Sequence, residues 1–228
     1  MSKPSSVSIT YMLMGIVFCI CLVISNLFQA KIVQIGPISI TGGFIVFPIS
    51  YILNDCIAEV WGFKKARLII WMGFAMNFFV VLLSQITIAL PCAPFWDGDE
   101  SFRFVFGLAP RIAFASLVAF LVGSFLNAVV MSKMKISSGG RHFSWRAILS
   151  TIIGEGADSL IFFPLAFWGQ MSSDELLKLM LLQVTAKTLY EIFALPLTVR
   201  LVKYVKAKEG TDVYDSGLSY NPLRINEI

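Results

Sequence analysis

AILSTIIGEGADSLIFFPLAFWG, residues 147–169, is apolar enough to cross a lipid bilayer, yet it holds two carboxylates, Glu155 and Asp158. A helix crosses the hydrocarbon layer with about 20 mostly apolar residues. Five further stretches meet that length: roughly 9–31, 39–61, 68–90, 111–132 and 175–204. Of the 228 residues, 57% are hydrophobic and only 14% charged. A soluble globular domain carries roughly 25% charge, so lipid and not water is the solvent for most of this surface. The first apolar run is too long for a secretory signal, and no small-x-small cleavage site follows it. Cys19, Cys21, Cys56 and Cys92 lack metal-ligand spacing, and three of them sit in apolar runs, so they read as small hydrophobes.

Basic residues orient these spans. With the N-terminus inside, thirteen Lys and Arg fall in inside segments and four outside, and Lys187 lies within the last span. The outside four are Lys31, Arg103, Arg111 and Lys178, while the acids Asp97, Asp99, Glu100, Asp174 and Glu175 gather in the outside loops. Cytoplasmic loops carry the excess of Lys and Arg. The expected fold is therefore an all-α membrane protein of six transmembrane helices, N-in and C-in. Residues 1–205 form the transmembrane domain and residues 206–228 a polar, mobile cytoplasmic tail. The loop at about 91–110 reads as an interfacial half-turn or as ordered loop, and Ser137-Ser138-Gly139-Gly140 as a flexible turn.

An internal symmetry is also suggested. Span two carries Pro48, then Asn54, Asp55 and Glu59; span five carries Glu155 and Asp158, then Pro164. Under this topology both place their acids in the cytoplasmic half, as a 3+3 inverted repeat would. Ala115, Ala119 and Gly123 form a small-residue stripe that permits close helix approach, either within the chain, which is the preferred reading, or across a homodimer.

Ionisable residues at membrane depth cost about 2.5–3.5 kcal/mol each near the midplane, so a chain that keeps several pairs them or uses them. Asp55 and Glu59 share one helix face, Glu155 and Asp158 another, and Gln183, Lys187 and Glu191 a third. Asn26 and Gln29 share a face near the outer end of span one, with Lys31 beside them. Lys187 and Glu191 read as a self-neutralising ion pair or as a charge-coupling element. Glu59, beside Trp61, Gly62 and Lys64, is also placed to reach the cytoplasmic interface. Asn77, Gln85 and Asn127 read as helix–helix hydrogen bonds. Glycines at 154 and 156 would let another backbone or a flat ligand approach Asp158. No P-loop, HExxH or GxSxG pattern is present, and the single histidine, His142, lies beside Arg141 in a cytoplasmic loop. An enzyme is not expected, nor a cofactor, a metal or a nucleic-acid partner.

Ser25-Asn26-Leu27-Phe28-Gln29-Ala30-Lys31, Asn54-Asp55-Cys56-Ile57-Ala58-Glu59-Val60-Trp61-Gly62, Lys65-Ala66-Arg67, Gly154-Glu155-Gly156-Ala157-Asp158 and Ala186-Lys187-Thr188-Leu189-Tyr190-Glu191 follow one another in that order. With six spans, this set resembles the queuosine precursor transporter family, also called the vitamin uptake transporter family, over about residues 10–205. The family pattern has Asn in some members where this chain has Glu155. The resemblance implies a membrane importer of 7-cyano-7-deazaguanine, 7-aminomethyl-7-deazaguanine or queuine, by secondary or facilitative transport in the bacterial inner membrane. Its partners would be that small-molecule substrate and membrane lipid.

A guanine-like edge presents an N–H and an NH2 side by side, which one carboxylate accepts together. The expected substrate-binding residues are Asn26, Gln29, Asn54, Asp55, Glu155, Asp158, Gln183, Lys187 and Glu191, with Phe44, Phe162 and Phe163 stacking on the base. The alternative is a substrate-capture subunit that works with a separate ATP-driven module, since the chain has no nucleotide site of its own.

Overall fold

The computed structural model describes residues 8–28, 30–35, 38–107, 110–169 and 172–224. Helix α1 (Ile9–Phe28) leads into an antiparallel hairpin of β1 (Ile32–Ile35) and β2 (Ile38–Thr41), with Ile32 opposite Thr41. A 3-10 turn (Gly42–Ile45) opens α2 (Phe47–Ala89), followed by α3 (Asp99–Phe106), α4 (Pro110–Ser137), α5 (Phe143–Phe167) and α6 (Ser173–Glu209). The chain is thus predominantly helical. Among the described residues, four helical stretches are long and apolar enough to cross a membrane: Ile9–Phe28, Gly42–Ala89, Phe114–Ser137 and Phe143–Phe167. It is a multi-pass membrane protein. Apolar side chains such as Leu13, Ile16 and Ile20 on α1, and Phe79, Leu83 and Ile86 on α2, are exposed on the outside of the bundle. Phe18, Leu22, Ile57, Phe63, Phe120 and Phe125 fill the interior.

Two expectations about the spans change. Residues 39–46 were expected inside span two, but they form strand and 3-10 turn, because a short run of β-branched residues between glycines suits a hairpin as well as a helix. Pro48 then occupies the first turn of α2, where its missing N–H is no loss. The expected second and third spans also merge into one helical stretch of 43 residues. At about 1.5 Å per residue, that is roughly twice the hydrocarbon thickness. Its break is at Gly62, with φ 80° and ψ 176°, and not at a proline. The break separates a first limb, 47–61, from a second, 63–89. Helix α6 has the length of a span, but Gln183, Lys187 and Glu191 make it less apolar than the others.

The chain after Glu209 closes over this break. It was expected to be mobile, yet its polar groups find specific partners. The Val213 N–H donates to Val60 O at 3.1 Å. The Phe63 N–H donates to Asp215 Oδ2 at 2.8 Å, and the Ser132 hydroxyl donates to the same oxygen at 2.5 Å. Arg67 and Trp71 donate to the carbonyls of Asn221 and Pro222, both at 2.9 Å. The tail therefore supplies the hydrogen bonds that an interrupted helix lacks, which polar backbone away from water requires.

The α4–α5 contact uses the small-residue stripe within the chain. A β-carbon on Gly123 would lie 2.8 Å from Gly154 O, and one on Gly154 would lie 2.9 Å from Gly123 O. Ala115 and Ala119 are fully buried. The turn after α4 is made by Gly139 and Gly140, both at positive φ.

Gly62 admits no side chain. A β-carbon there would meet Asp215 Oδ1 at 2.6 Å and would sit at a φ only glycine adopts freely. Gly62→Ala is expected to lower stability by about 1–3 kcal/mol, read as a lower melting temperature in detergent. Gly156→Ala, with nothing within 4 Å of its new carbon, is the control. An unchanged melting temperature for Gly62→Ala would contradict this account of the break.

Candidate functional site

Three helices bring their polar faces to one buried point. The first limb of α2 contributes Tyr51, Asn54 and Asp55, α5 contributes Thr151, Glu155 and Asp158, and α6 contributes Lys187 and Glu191. Asp55, Glu155 and Glu191 are each 2% exposed or less, and Asp158 and Lys187 are also buried. Tyr51 stands at the centre, within the electrostatic reach of Glu155, Asp158, Asp55 and Glu191 together. Its ring packs beside Gly154 and its hydroxyl beside Gly123, so the missing β-carbons of these two glycines leave room for it.

Lys187 is the cation of this cluster. Its Nζ lies 2.6 Å from Glu155 Oε2 and 3.9 Å from Asp158 Oδ2. It also sits 3.8 Å from the centroid of Phe47, a cation–π contact. The i, i+4 pair expected between Lys187 and Glu191 is not formed. Lys187 reaches across to α5 instead, where two acids lie one turn apart and would otherwise share no counter-charge.

The other expected residues distribute as follows. Asn54 belongs to the cluster and donates to Asn127 Oδ1 at 2.8 Å and to Ser124 O at 3.3 Å. Gln183 lies one turn before Lys187 on α6 and is half-buried. Asn26 is elsewhere: it donates to Asn77 Oδ1 at 2.8 Å and lines a crevice with Ser84, Gln85 and Phe106. Gln29 lies outside the described residues. Phe44 meets Tyr190 edge to face at 6.0 Å. Phe162 and Phe163 pack on each other at 5.3 Å, one turn beyond Asp158. Asn77 and Asn127 bridge helices, as their positions suggested. Phe47, Tyr51 and Thr151 were not singled out from the sequence. The spacing Phe47, Tyr51, Asp55 places all three on one face of α2 and is the signal that could have found the first two.

A second charged cluster lies one turn along α2, at the basic end of the bundle. Arg146 grips Glu59 with both guanidinium nitrogens, at 2.5 and 3.0 Å, both side chains being 1% exposed. Lys206 Nζ lies 2.7 Å from Glu59 Oε1 and 2.8 Å from Asp212 Oδ1, and Lys135 lies 2.5 Å from Asp212. Lys135 also donates to the carbonyl of Glu59, inside the break. Glu59 is therefore buried and fully compensated. A bidentate buried pair of this kind costs about 3–5 kcal/mol when one partner alone is lost. Burial pushes the Asp212 carboxyl up, but Lys135 and Lys206 outweigh it and hold the group below the usual carboxylate range. The stability Asp212 contributes is thus present above the ordinary carboxylate pKa of about 3.9 and lost as pH falls through the lower folded value. Asp212→Asn should melt below wild type at pH 7, with the gap closing as the medium is acidified. A gap unchanged down to pH values below the carboxylate range would contradict this role.

The family described as "Putative vitamin uptake transporter" matches residues 41–201, a stretch that includes the whole Tyr51-centred cluster and Glu59, Lys135 and Arg146 of the second. A "Probable queuosine precursor transporter" of Bacillus subtilis (strain 168) is 24% identical over 188 residues, covering 82% of each chain. The "Queuosine precursor transporter" of Escherichia coli (strain K12) is 30% identical over 137 residues, 58% of this chain and 59% of that protein. A "Probable queuosine precursor transporter" of Haemophilus influenzae is 29% identical over 129 residues, 56% of this chain and 52% of that protein. No solved structure matches the chain. The relatives are named as transporters. With the family match covering most of its length, the chain belongs to the vitamin uptake transporter family and is not an enzyme.

Proposed function

We propose that this protein imports queuosine precursors across the bacterial inner membrane by secondary or facilitative transport. The substrates are 7-cyano-7-deazaguanine, 7-aminomethyl-7-deazaguanine or queuine. The observation that carries the reading is the Tyr51-centred cluster: four carboxylates and one ammonium converge inside an apolar bundle, in a chain whose relatives are named queuosine precursor transporters.

The chemistry of the base fits that cluster. A carboxylate takes the N–H and NH2 of the guanine-like edge as two parallel charge-assisted bonds. Glu155 is held by Lys187 at 2.6 Å, whereas Asp158 lies at 3.9 Å. Asp158 is therefore the carboxylate freer to clamp the base, and Glu155 the one that Lys187 keeps in place. Asn54 and Gln183 read the carbonyl and ring nitrogens, and Phe44, Phe162 and Phe163 offer faces for stacking. Asn26 lies in a separate crevice, so in this reading it lines the route and not the clamp.

The topology follows from the two limbs of α2 acting as separate crossings joined at Gly62. Counted so, α1, the two limbs, α4, α5 and α6 make six spans, three plus three, over residues 1–205. Residues 206–228 form the cytoplasmic tail. Support comes from Arg67, Lys135, Arg146 and Lys206, which share one end of the bundle with that tail. Lipid surrounds the outward apolar faces, and the small-residue stripe is spent within the chain, so the reading needs no second copy.

Expression in a strain that lacks both queuosine synthesis and its own importer should restore queuosine in tRNA from at least one of the three precursors. Asp158→Ala should cut that uptake at least about tenfold, a loss of roughly 1.4 kcal/mol or more in binding terms, with unchanged protein in the membrane. Failure with all three precursors would sink the reading, and wild-type uptake by Asp158→Ala would remove Asp158 from the site.

A further inference from the structure

Lys187 leaves one pair of acids without a cation. It turns from Glu191, one turn away on its own helix, to Glu155 on α5. Glu191 instead lies against Asp55 of α2. Neither oxygen of Asp55 and neither oxygen of Glu191 has a well-formed hydrogen bond among the described residues. Asp55 has no exposed surface and Glu191 only 2%. The Thr151 hydroxyl, itself buried and without a partner, is directed at Glu191.

The groups facing this pair are few. From α2 come Tyr51, Cys56 and Glu59, the last already neutralised by Arg146 and Lys206. From α5 come Glu155, Asp158 and the Thr151 hydroxyl. From α6 comes Lys187, committed to α5. The α4 face presents the amide of Asn127. No lysine or arginine touches Asp55 among the described residues. Two carboxylates in contact, away from water, cannot both stay ionised without a counter-charge, and the smallest counter-charge is a proton shared between them.

We propose that Asp55 and Glu191 form a proton-binding pair that couples transport to the proton gradient, separate from the carboxylate that clamps the base. The inference rests on the transporter reading above and deepens it. A proton from the outer medium enters the pair, so that one carboxyl then donates to the other carboxylate. That cancels one negative charge in the cluster when substrate is taken up at Asp158. Release of the proton toward the cytoplasm passes Glu59, one turn further along α2, whose pairing with Arg146 and Lys206 closes that end. A full cycle moves one proton inward with each neutral base.

Purified protein in proteoliposomes tests this, with 7-cyano-7-deazaguanine as a neutral probe and the membrane potential clamped. Wild type should accumulate the probe about tenfold for each pH unit of inward proton gradient, and adding probe should acidify the lumen, read with a trapped pH dye. Asp55→Asn and Glu191→Gln, which keep the shape, should lose both responses, and whatever exchange of probe they keep should no longer change with pH. A wild-type elution profile in detergent shows that the variants are folded. Wild-type protein that exchanges probe but ignores the pH gradient, or accumulates it on a sodium gradient instead, overturns the proton pair and leaves the transporter reading intact. Variants that keep gradient-driven accumulation overturn it too. Absence of any exchange by wild type overturns both.

Discussion

Among the described residues, five carboxylates lie inside this bundle, and each has been taken out of water at a cost of several kcal/mol unless something replaces the lost solvation. The architecture follows from how that cost is met. Glu59 is met in full, by a bidentate arginine and a lysine drawn from two other helices. Glu155 and Asp158 share one lysine that reaches from α6. Asp55 and Glu191 have only each other and a few neutral groups. Compensation therefore falls off along α2 from Glu59 to Asp55. A ligand or proton gains most where the protein itself offers least.

The same logic explains the break at Gly62. The helical ladder of α2 is interrupted there, and backbone polar groups are freed at the basic end. The tail answers them with Val213 and Asp215, while Lys135 joins the break, the tail and the second charge cluster. The tail and the Glu59–Arg146 pair thus lie together at one end of the bundle, while the less compensated acids lie further along α2.

Much of this was legible in the order of residues. Apolar length placed α1, α4, α5 and α6 within a few residues of their ends, and helical spacing put Asp55, Glu155, Asp158, Lys187 and Glu191 on faces that do converge. What escaped has physical reasons. Trp61-Gly62-Phe63-Lys64-Lys65 reads as a loop, because charge marks the end of a span whether or not one glycine suffices to turn it. The hairpin at 32–41 is built of isoleucines that suit strand and helix alike. The tail is polar, and its order depends on Phe63, Ser132 and Lys135, partners 77 to 152 positions away in the chain. Spacing along α6 favoured Lys187 with Glu191. Only the packing of α5 against α6 makes Glu155 the nearer acid.

The central claim is that the base is held at the Tyr51-centred cluster. A structure of the protein with bound 7-aminomethyl-7-deazaguanine tests it most directly. The account predicts the purine edge within hydrogen-bond distance of Asp158, with Lys187 still on Glu155 and the ring between aromatic faces of α2 and α5. Ligand seated instead in the crevice between Asn26, Asn77 and Gln85, with the carboxylate cluster unchanged, would contradict it.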